Sequence, residues 1–432
     1  MSGVVVLGAG LAGLSTSYFL RRAGVPHRVL EKDPVVGGHA STTEEAGYRF
    51  DRTGHLLHLR DEEIRQLVLS WFPEGHLLEI HRKSVVYSHG VYTRYPFQAN
   101  VRGLPSEVAY ACVRDFVKAS TRPTQMPIES FEDYSVAHFG EAISREFMVP
   151  YNQKLWGVHP AEITAKWCDR FVPIPTMDEV LRGAFGVDPP ELGYNTKFLY
   201  PRLGIGELAS ALGTRAGSIE LGREARAIDL EARVVTTNDG ELVPFTTLVS
   251  TLSMPSLVSR LVDAPAEVRE AAAKLRATHL FYLDVALNTP VEVAWHWAYV
   301  PSPDVPFYRV GAYSRFSSAL VPVGKGSLYV ELASREAPDL ATLLPVVADE
   351  LVKMGVIRAR EAIRFARVRR LDPAYVVFDR HHEEATRVVS DYLASRDVLS
   401  AGRYARFTYA SMEDAILDGR SVANAIGRGL PA

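Results

Sequence analysis

The chain has 432 residues, 47% of them hydrophobic and 23% charged, with a net charge of −3. This is an ordinary globular composition with ample apolar surface for a large core, and its mild acidity excludes a basic nucleic-acid face or a surface built for acidic membranes. Only Cys112 and Cys168 are present, which excludes a disulfide framework, and no apolar run reaches the roughly 18 residues that a membrane span requires.

The opening "MSGVVVLGAG" is interrupted by glycines too early for a signal peptide, so a soluble, cytoplasmic protein is expected. The apolar run Val4–Leu7 predicts a strand, followed by Gly8-x-Gly10-x-x-Gly13 and a helical stretch to Arg22. A second strand, "HRVLEKD", delivers Glu31. Strand, glycine turn, helix and acid in register form the dinucleotide fingerprint. The glycines allow a tight turn and close backbone approach to a pyrophosphate at the helix N-terminus, and Glu31 is placed to accept from ribose hydroxyls. Gly37 and Gly38 follow, and paired glycines there suggest a second close approach of backbone to cofactor. In this the stretch resembles the glutathione-reductase-like flavoproteins, so FAD is the expected cofactor, with NAD(P) as the alternative.

Next comes "RFDRTGHLLHL". His55 and His58 are spaced i, i+3, but no Cys, Asp or Glu completes a ligand set, and no metal is expected. A glycine-bent loop, Gly54-His55, passing close to the flavin ring is the stronger reading. Helical periodicity begins at Pro105-Ser106 and again at Ser130. Residues 224–252 are strand-rich, with Asn238-Asp239-Gly240 as a hairpin signal. Between 276 and 335, aromatic and β-branched runs predict an antiparallel sheet with one covered face. The C-terminal stretch reads as strand, loop and helix. Ser411 and Asp414 suit a capping box there, and the helix N-terminus would favour negative charge on a reduced flavin. Gly402-Arg403 precedes it, and Arg403 is expected on the cofactor pyrophosphate, with a surface salt bridge as the alternative.

The fold class is therefore α/β. An FAD-binding Rossmann domain is expected from 1–77, 203–257 and 393–432, a helical insertion from 102–186, and an antiparallel sheet and substrate domain from 78–101, 187–202 and 258–392.

Several motifs occur together and in one order: "TGHLLH", "RYPFQANVRGLP", "PYNQKLWGVHP" running on to Arg170, "YNTKFLYPRLGIG", "HWAYV", "PFYR" and "GRYARFTY". On these the chain resembles the flavin-dependent UDP-galactopyranose mutases, in the style of their eukaryotic members. The resemblance implies that Arg170 and Arg309 hold a sugar nucleotide's diphosphate, aided by the hydroxyls of Tyr375 and Tyr409. It places Tyr95, Phe97 and Gln98 in the uracil pocket, and Asn152, Trp156, Asn195, Trp297 and Tyr299 around the sugar and ribose. His55 and Gly54 fall on the loop that faces the isoalloxazine. Arg403, Ser411 and Met412 fall on the cofactor. The sequence departs from the family with Thr53 where a glycine is usual and in "AYVVFDRHH", so the resemblance carries nucleotide binding further than the identity of the sugar. The implied activity interconverts pyranose and furanose forms of a nucleotide-diphosphate sugar. FAD reduced by NADPH or NADH supplies N5 as the nucleophile at the anomeric carbon, without net redox. This would explain why no acid–base dyad or nucleophilic serine stands out. The alternatives are an FAD oxidase or desaturase of the amine oxidase or protoporphyrinogen oxidase type, and a non-catalytic binding protein. Homo-oligomerisation is left open.

Overall fold

The computed structural model describes residues 3–121, 127–168, 171–187, 192 and 196–428. The fingerprint folds as strand Gly3–Leu7, helix Leu11–Arg22 and strand His27–Glu31. The two strands pair in parallel, from Val4 opposite His27 to Leu7 opposite Leu30. Val5 and Leu7 enter one apolar core while Val4 and Val6 enter another. The unbroken apolar run thus suits a strand covered on both faces.

Distant segments complete this sheet. Strand Leu242–Ser250 lies parallel to Gly3–Leu7 on its other side, and strand Val398–Ser400 lies parallel to Leu242–Ser250. Strand Ser218–Leu221 flanks His27–Glu31. The predicted hairpin forms, with strand Val234–Thr237 antiparallel to Leu242–Ser250 and Gly240 at φ 84° in the turn. Helix Leu11–Arg22 packs on helix Met412–Gly427 at Gly419, where a side chain would come within 2.6 Å of the Thr16 amide nitrogen. Ser15 Oγ donates to the Ile416 carbonyl across the same crossing, at 2.7 Å.

The second sheet runs, in spatial order, Ile363–Leu371, Leu280–Leu287, Gly326–Leu332, Phe307–Ala312, Trp297–Tyr299, Ser84–Ser88 and Val91–Arg94. Its pairings are antiparallel except for Trp297–Tyr299 against Ser84–Ser88, which is parallel. The expectation of one covered face is corrected. Strands Leu280–Leu287 and Gly326–Leu332 are buried along their whole lengths. One face sends Leu283, Val285, Val310, Leu328 and Val330 into an aliphatic core shared with Val347 and Leu351 of helix Leu340–Lys353. The other face carries Tyr282, Arg309, Tyr329 and Glu331, and is covered as well. Aromatic residues interspersed with buried charges disguise that face as a solvent-facing one.

Helices Ser106–Thr121, Phe131–Ile143, Val149–Trp156 and Met177–Phe185 form a third region. Ser130 and Asp133 cap the second of these reciprocally. Gly157, at φ 69°, ends the third in a left-handed turn. Cys112 and Cys168 are both buried free thiols, and burial pushes Cys112 up to about 12. No helix among the described residues is long and apolar enough to cross a membrane.

Candidate active site

A cavity of about 720 Å³ runs from the glycine turn at Gly8 and Gly10 to Arg309 and Trp297 of the second sheet. That volume is in the range of small-molecule and cofactor sites. Its nucleotide end is shaped by absent side chains. Gly8 adopts φ 97°. A Cβ on Gly13 would lie 1.9 Å from the Gly8 carbonyl oxygen, so helix and turn can meet only over glycine. A Cβ on Gly10 would meet no atom within 4 Å, which leaves open space at the cavity wall. Gly37 donates its N–H to the Ala9 carbonyl at 2.8 Å, and Gly38 follows at φ 55°. Glu31 accepts from the backbone N–H of Ala9 at 2.5 Å and of Asp33 at 2.8 Å. Each carboxylate oxygen carries a further lone pair, so Glu31 is oriented and can still accept from hydroxyls.

Arg403 follows Gly402, whose φ of 90° turns the chain into the cavity wall. The guanidinium lies over the rings of Tyr409, Tyr375 and Tyr404, at 4.6, 5.4 and 5.6 Å from their centroids. Its Nε and Nη2 are buried and have no hydrogen-bond partner among the described residues. No carboxylate of the described residues pairs with it, so the surface salt bridge is not the arrangement found there. Two orphaned donors beside a glycine turn with free space at Gly10 fit the pyrophosphate of a dinucleotide, and FAD is the group that the fold implies. Ser411 caps helix Met412–Gly427 by accepting from the Asp414 N–H, and Asp414 accepts in return from Ser411. Ser411 and Met412 also line the cavity, and the helix thereby presents its N-terminus there. Replacing Arg403 with methionine is expected to weaken FAD binding about tenfold to a hundredfold, the effect of one or two charge-assisted hydrogen bonds. The apo protein should unfold at an unchanged urea concentration, because the arginine has no counter-ion to strand. Unaltered FAD affinity in a fluorescence titration would remove Arg403 from the cofactor site.

The histidine loop departs from the expected glycine bend. Its left-handed residue is Thr53, at φ 72°. Gly54 serves a different purpose, since a Cβ there would lie 2.3 Å from the Tyr329 hydroxyl. Glycine thus lets the loop lie directly on the sheet. His55 donates from Nδ1 to the Thr53 carbonyl at 3.3 Å. Burial, with help from the Arg309 and Arg52 charges, lowers its pKa to about 4, so the ring is neutral at neutral pH. Asp51 anchors the start of the loop: it accepts from Thr42, Tyr200 and the Ile205 N–H, and burial raises its carboxyl to about 6. Buried Glu413 anchors the end by accepting from the backbone N–H of Arg60 and Asp61 and from Arg60 Nε.

At the far end, Arg309 is gripped by Glu331 in a two-pronged pair, Nε to Oε2 at 2.9 Å and Nη2 to Oε1 at 2.7 Å. The strands place these residues opposite each other, with Tyr299 opposite Arg309 on the other side. Burial works against the arginine's charge, and the Glu331 carboxylate more than restores it, holding the guanidinium well above its ordinary value. Arg309 Nη2 also donates to the Tyr375 hydroxyl at 3.3 Å. Tyr375 is pushed up to about 12 by burial, against the pull of Arg309. Tyr95 and Tyr299 stack at 4.8 Å, and both line the cavity with Gln98, Asn152, Trp297, Tyr375 and Tyr409. Trp297 keeps a buried, unpartnered Nε1. Gln98 Nε2 donates to the Pro173 carbonyl at 2.9 Å. Asn152 donates to the Met148 carbonyl at 2.8 Å and accepts from Trp156 Nε1 at 3.3 Å, so both ends of its amide are engaged.

Two expected residues lie behind the wall. Phe97 is fully buried and stacks on Phe147, which does reach the cavity. Trp156 is buried behind Tyr375, its ring 5.6 Å from that of the tyrosine. Arg170 and Asn195 fall outside the described residues. Sequence reading passed over Glu331, His39 and Arg52. Glu331 had a signal, a lone acid in the strand "SLYVEL". His39 holds the Pro373 carbonyl through Nε2 at 2.8 Å and leaves Nδ1 buried and unpartnered. It and Arg52 both line the cavity.

Comparison with known proteins agrees with this geometry. A model of the NAD(P)-binding Rossmann-like domain matches residues 6–70. The dTDP-fucopyranose mutase of Escherichia coli is 24% identical over 172 residues, covering 38% of this chain. The matched stretch spans 44% of that relative, less than half its length. Among solved structures, that of reduced UDP-galactopyranose mutase superposes with a TM-score of 0.92 at 22% identity, over 99% of this chain and 95% of the other. Cyclohexylamine oxidase from Brevibacterium oxydans IH-35A superposes with a TM-score of 0.72 at 16% identity, over 99% of each chain. At such identities these likenesses establish the fold.

Proposed function

We propose that the protein is a reduced-FAD-dependent mutase that interconverts pyranose and furanose forms of a nucleotide-diphosphate sugar. The observation that carries this reading is Arg309, a half-buried guanidinium that Glu331 holds in the cavity wall at the end opposite the glycine turn. An oxidase handling an amine or an isoprenoid would have no use for an anion anchor there. The fold likeness to a mutase and the sequence similarity to another support the same reading.

In it, Gly8, Gly10, Gly13, Glu31, Gly37, Gly38 and Arg403 hold the cofactor, and Ser411 and Met412 present the helix N-terminus to it. When bound and reduced, FAD would supply a nucleophilic N5 for an isomerisation without net redox. Arg309 binds the departing diphosphate and keeps it for return, with Arg170 as its partner. Tyr375 and Tyr409 donate hydroxyl hydrogens to the same oxygens. Tyr95 and Gln98 receive the base, and Trp297 and Tyr299 wall the sugar. Asn195 belongs to the same wall by resemblance. Asn152, Trp156 and Phe97 act by shaping it. Neutral His55 lies on the loop expected to face the flavin, where it would tune the ring's proton-carrying atoms. NADPH or NADH serves as reductant, in the cytoplasm.

The test is nucleotide binding by oxidised and dithionite-reduced protein, followed by product analysis against a panel of uridine and thymidine diphosphate sugars. Binding of UDP or dTDP that tightens on reduction, with furanose product, is the expected result. Indifference to every nucleotide, with substrate-driven bleaching and peroxide release, would establish an oxidase instead.

A further inference from the structure

Lys154, like its neighbour Gln153, is a polar residue of "PYNQKLWG" that does not line the cavity. It stands on helix Val149–Trp156. Its Nζ donates to four backbone carbonyls: Val300 at 3.0 Å, Ser302 at 2.7 Å, Val305 at 3.0 Å and Phe307 at 2.7 Å. The first three belong to the connection between strand Trp297–Tyr299 and strand Phe307–Ala312, and the fourth opens the second strand. Tyr299 directly precedes the first of these carbonyls, and Arg309 stands two residues beyond the last.

The same helix is fixed a second time at its C-terminal end. Arg335 Nη2 donates to the carbonyls of Lys154 at 3.1 Å and Leu155 at 2.6 Å, and its Nη1 donates to His279 at 3.0 Å. Those helix carbonyls lack intrahelical partners, and a cation there suits the helix dipole. Arg335 follows the strand that bears Tyr329 and Glu331. Tyr151, on the helix, meets Tyr299 edge to face at 5.3 Å between ring centroids, and the two half-buried cations Lys154 and Arg335 hold that helix against the segments that carry Tyr299, Arg309 and Glu331.

We infer that Lys154 is a positioning residue for nucleotide-sugar binding, a cationic rivet that gathers the Tyr299–Arg309 connection onto the helix bearing Asn152. This rests on the proposed mutase reading for its ligand, while the rivet itself is a claim about the loop. A lysine suits the position because an ammonium is a compact point charge with three donors, and four convergent carbonyl dipoles resemble the coordination shell of a small monovalent cation. Burial pulls the ammonium down to about 7. The carbonyl dipoles act in the opposite sense, since only the protonated form satisfies them.

The experiment compares FAD-loaded wild type, Lys154→Ala and Lys154→Gln by amide hydrogen exchange over residues 300–307 and by UDP affinity of the reduced protein. In Lys154→Ala the loop amides should exchange faster and UDP affinity should fall about tenfold, the cost of a wall displaced by a fraction of an ångström, while flavin absorbance is retained. Added ammonium should occupy the vacated carbonyl cage and restore both readouts, whereas sodium at equal ionic strength should not. Lys154→Gln keeps two donors and should fall between the extremes. If the alanine variant does not fold, the glutamine variant carries the same two readouts. Unchanged exchange and affinity in the variants, or losses that ammonium leaves untouched, would overturn the rivet. Should wild type bind no UDP while exchange still rises and ammonium still reverses it, the rivet stands and the nucleotide reading fails.

Discussion

Arg309→Met should lose nucleotide binding and roughly 3–5 kcal/mol of folding stability together, because it leaves the buried Glu331 carboxylate without its counter-ion. Glu331 is 0% exposed and both of its oxygens are committed to Arg309. The two effects can be separated. In Arg309→Met with Glu331→Leu, no buried charge remains, and apolar replacements of a buried ion pair are often neutral or stabilising. That double variant should recover most of the stability in urea unfolding, retain FAD, and still bind no UDP. A single variant that binds UDP like wild type would remove Arg309 from the substrate site. A double variant as unstable as the single one would show that the loss did not come from the stranded carboxylate.

Two alanine substitutions three residues apart should behave in opposite ways. At Gly13 the new methyl would sit 1.9 Å from the Gly8 carbonyl oxygen and 3.5 Å from Thr251 Cγ2. Backbone cannot yield as a flexible side chain can, so helix Leu11–Arg22 must move off the turn. Gly13→Ala should therefore destabilise the apo protein by about 1–3 kcal/mol or more, the cost of overpacking, and lose FAD as a consequence. At Gly10 the backbone is ordinary, φ −72°, and the methyl meets nothing within 4 Å. Gly10→Ala should unfold within about 0.5 kcal/mol of wild type yet bind FAD about tenfold to a hundredfold more weakly, because the methyl takes the space the pyrophosphate needs. Full FAD affinity in Gly10→Ala would show that the open space belongs to something other than the cofactor. Unaltered melting of Gly13→Ala would show that the helix can back away freely.

These contrasts explain what could be read from the sequence. Glycines 8, 10 and 13 are legible because their constraint is local: the turn and the helix it feeds are contiguous. The Ser411 capping box and the Asn238-Asp239-Gly240 hairpin were legible for the same reason. The Arg309–Glu331 pair was not, because it depends on which residues two strands place opposite each other. The loop at residues 53–55 was half legible. A glycine there marks close approach, but the neighbour is Tyr329, 275 positions along, and the unusual backbone belongs to Thr53. A family resemblance conveys which residue types cluster, without saying which lie at the surface of the cavity. Hence Phe97 and Trp156 stand behind it, and His39 and Arg52, which are not in the shared motifs, line it.

The order of strands in the first sheet has a consequence for synthesis. Strand Leu242–Ser250 is flanked by Gly3–Leu7 and by Val398–Ser400, and helix Leu11–Arg22 leans on Met412–Gly427. Residues 3–22 thus wait for residues 398–427 before their sheet and its covering helix are complete, while the second sheet, whose strands all lie within residues 84–371, can close sooner. Arg403 and the Ser411 cap arrive in that final portion. A nascent chain arrested short of them would have its glycine turn but no closed nucleotide cradle, so cofactor loading would report that translation had run through residue 427.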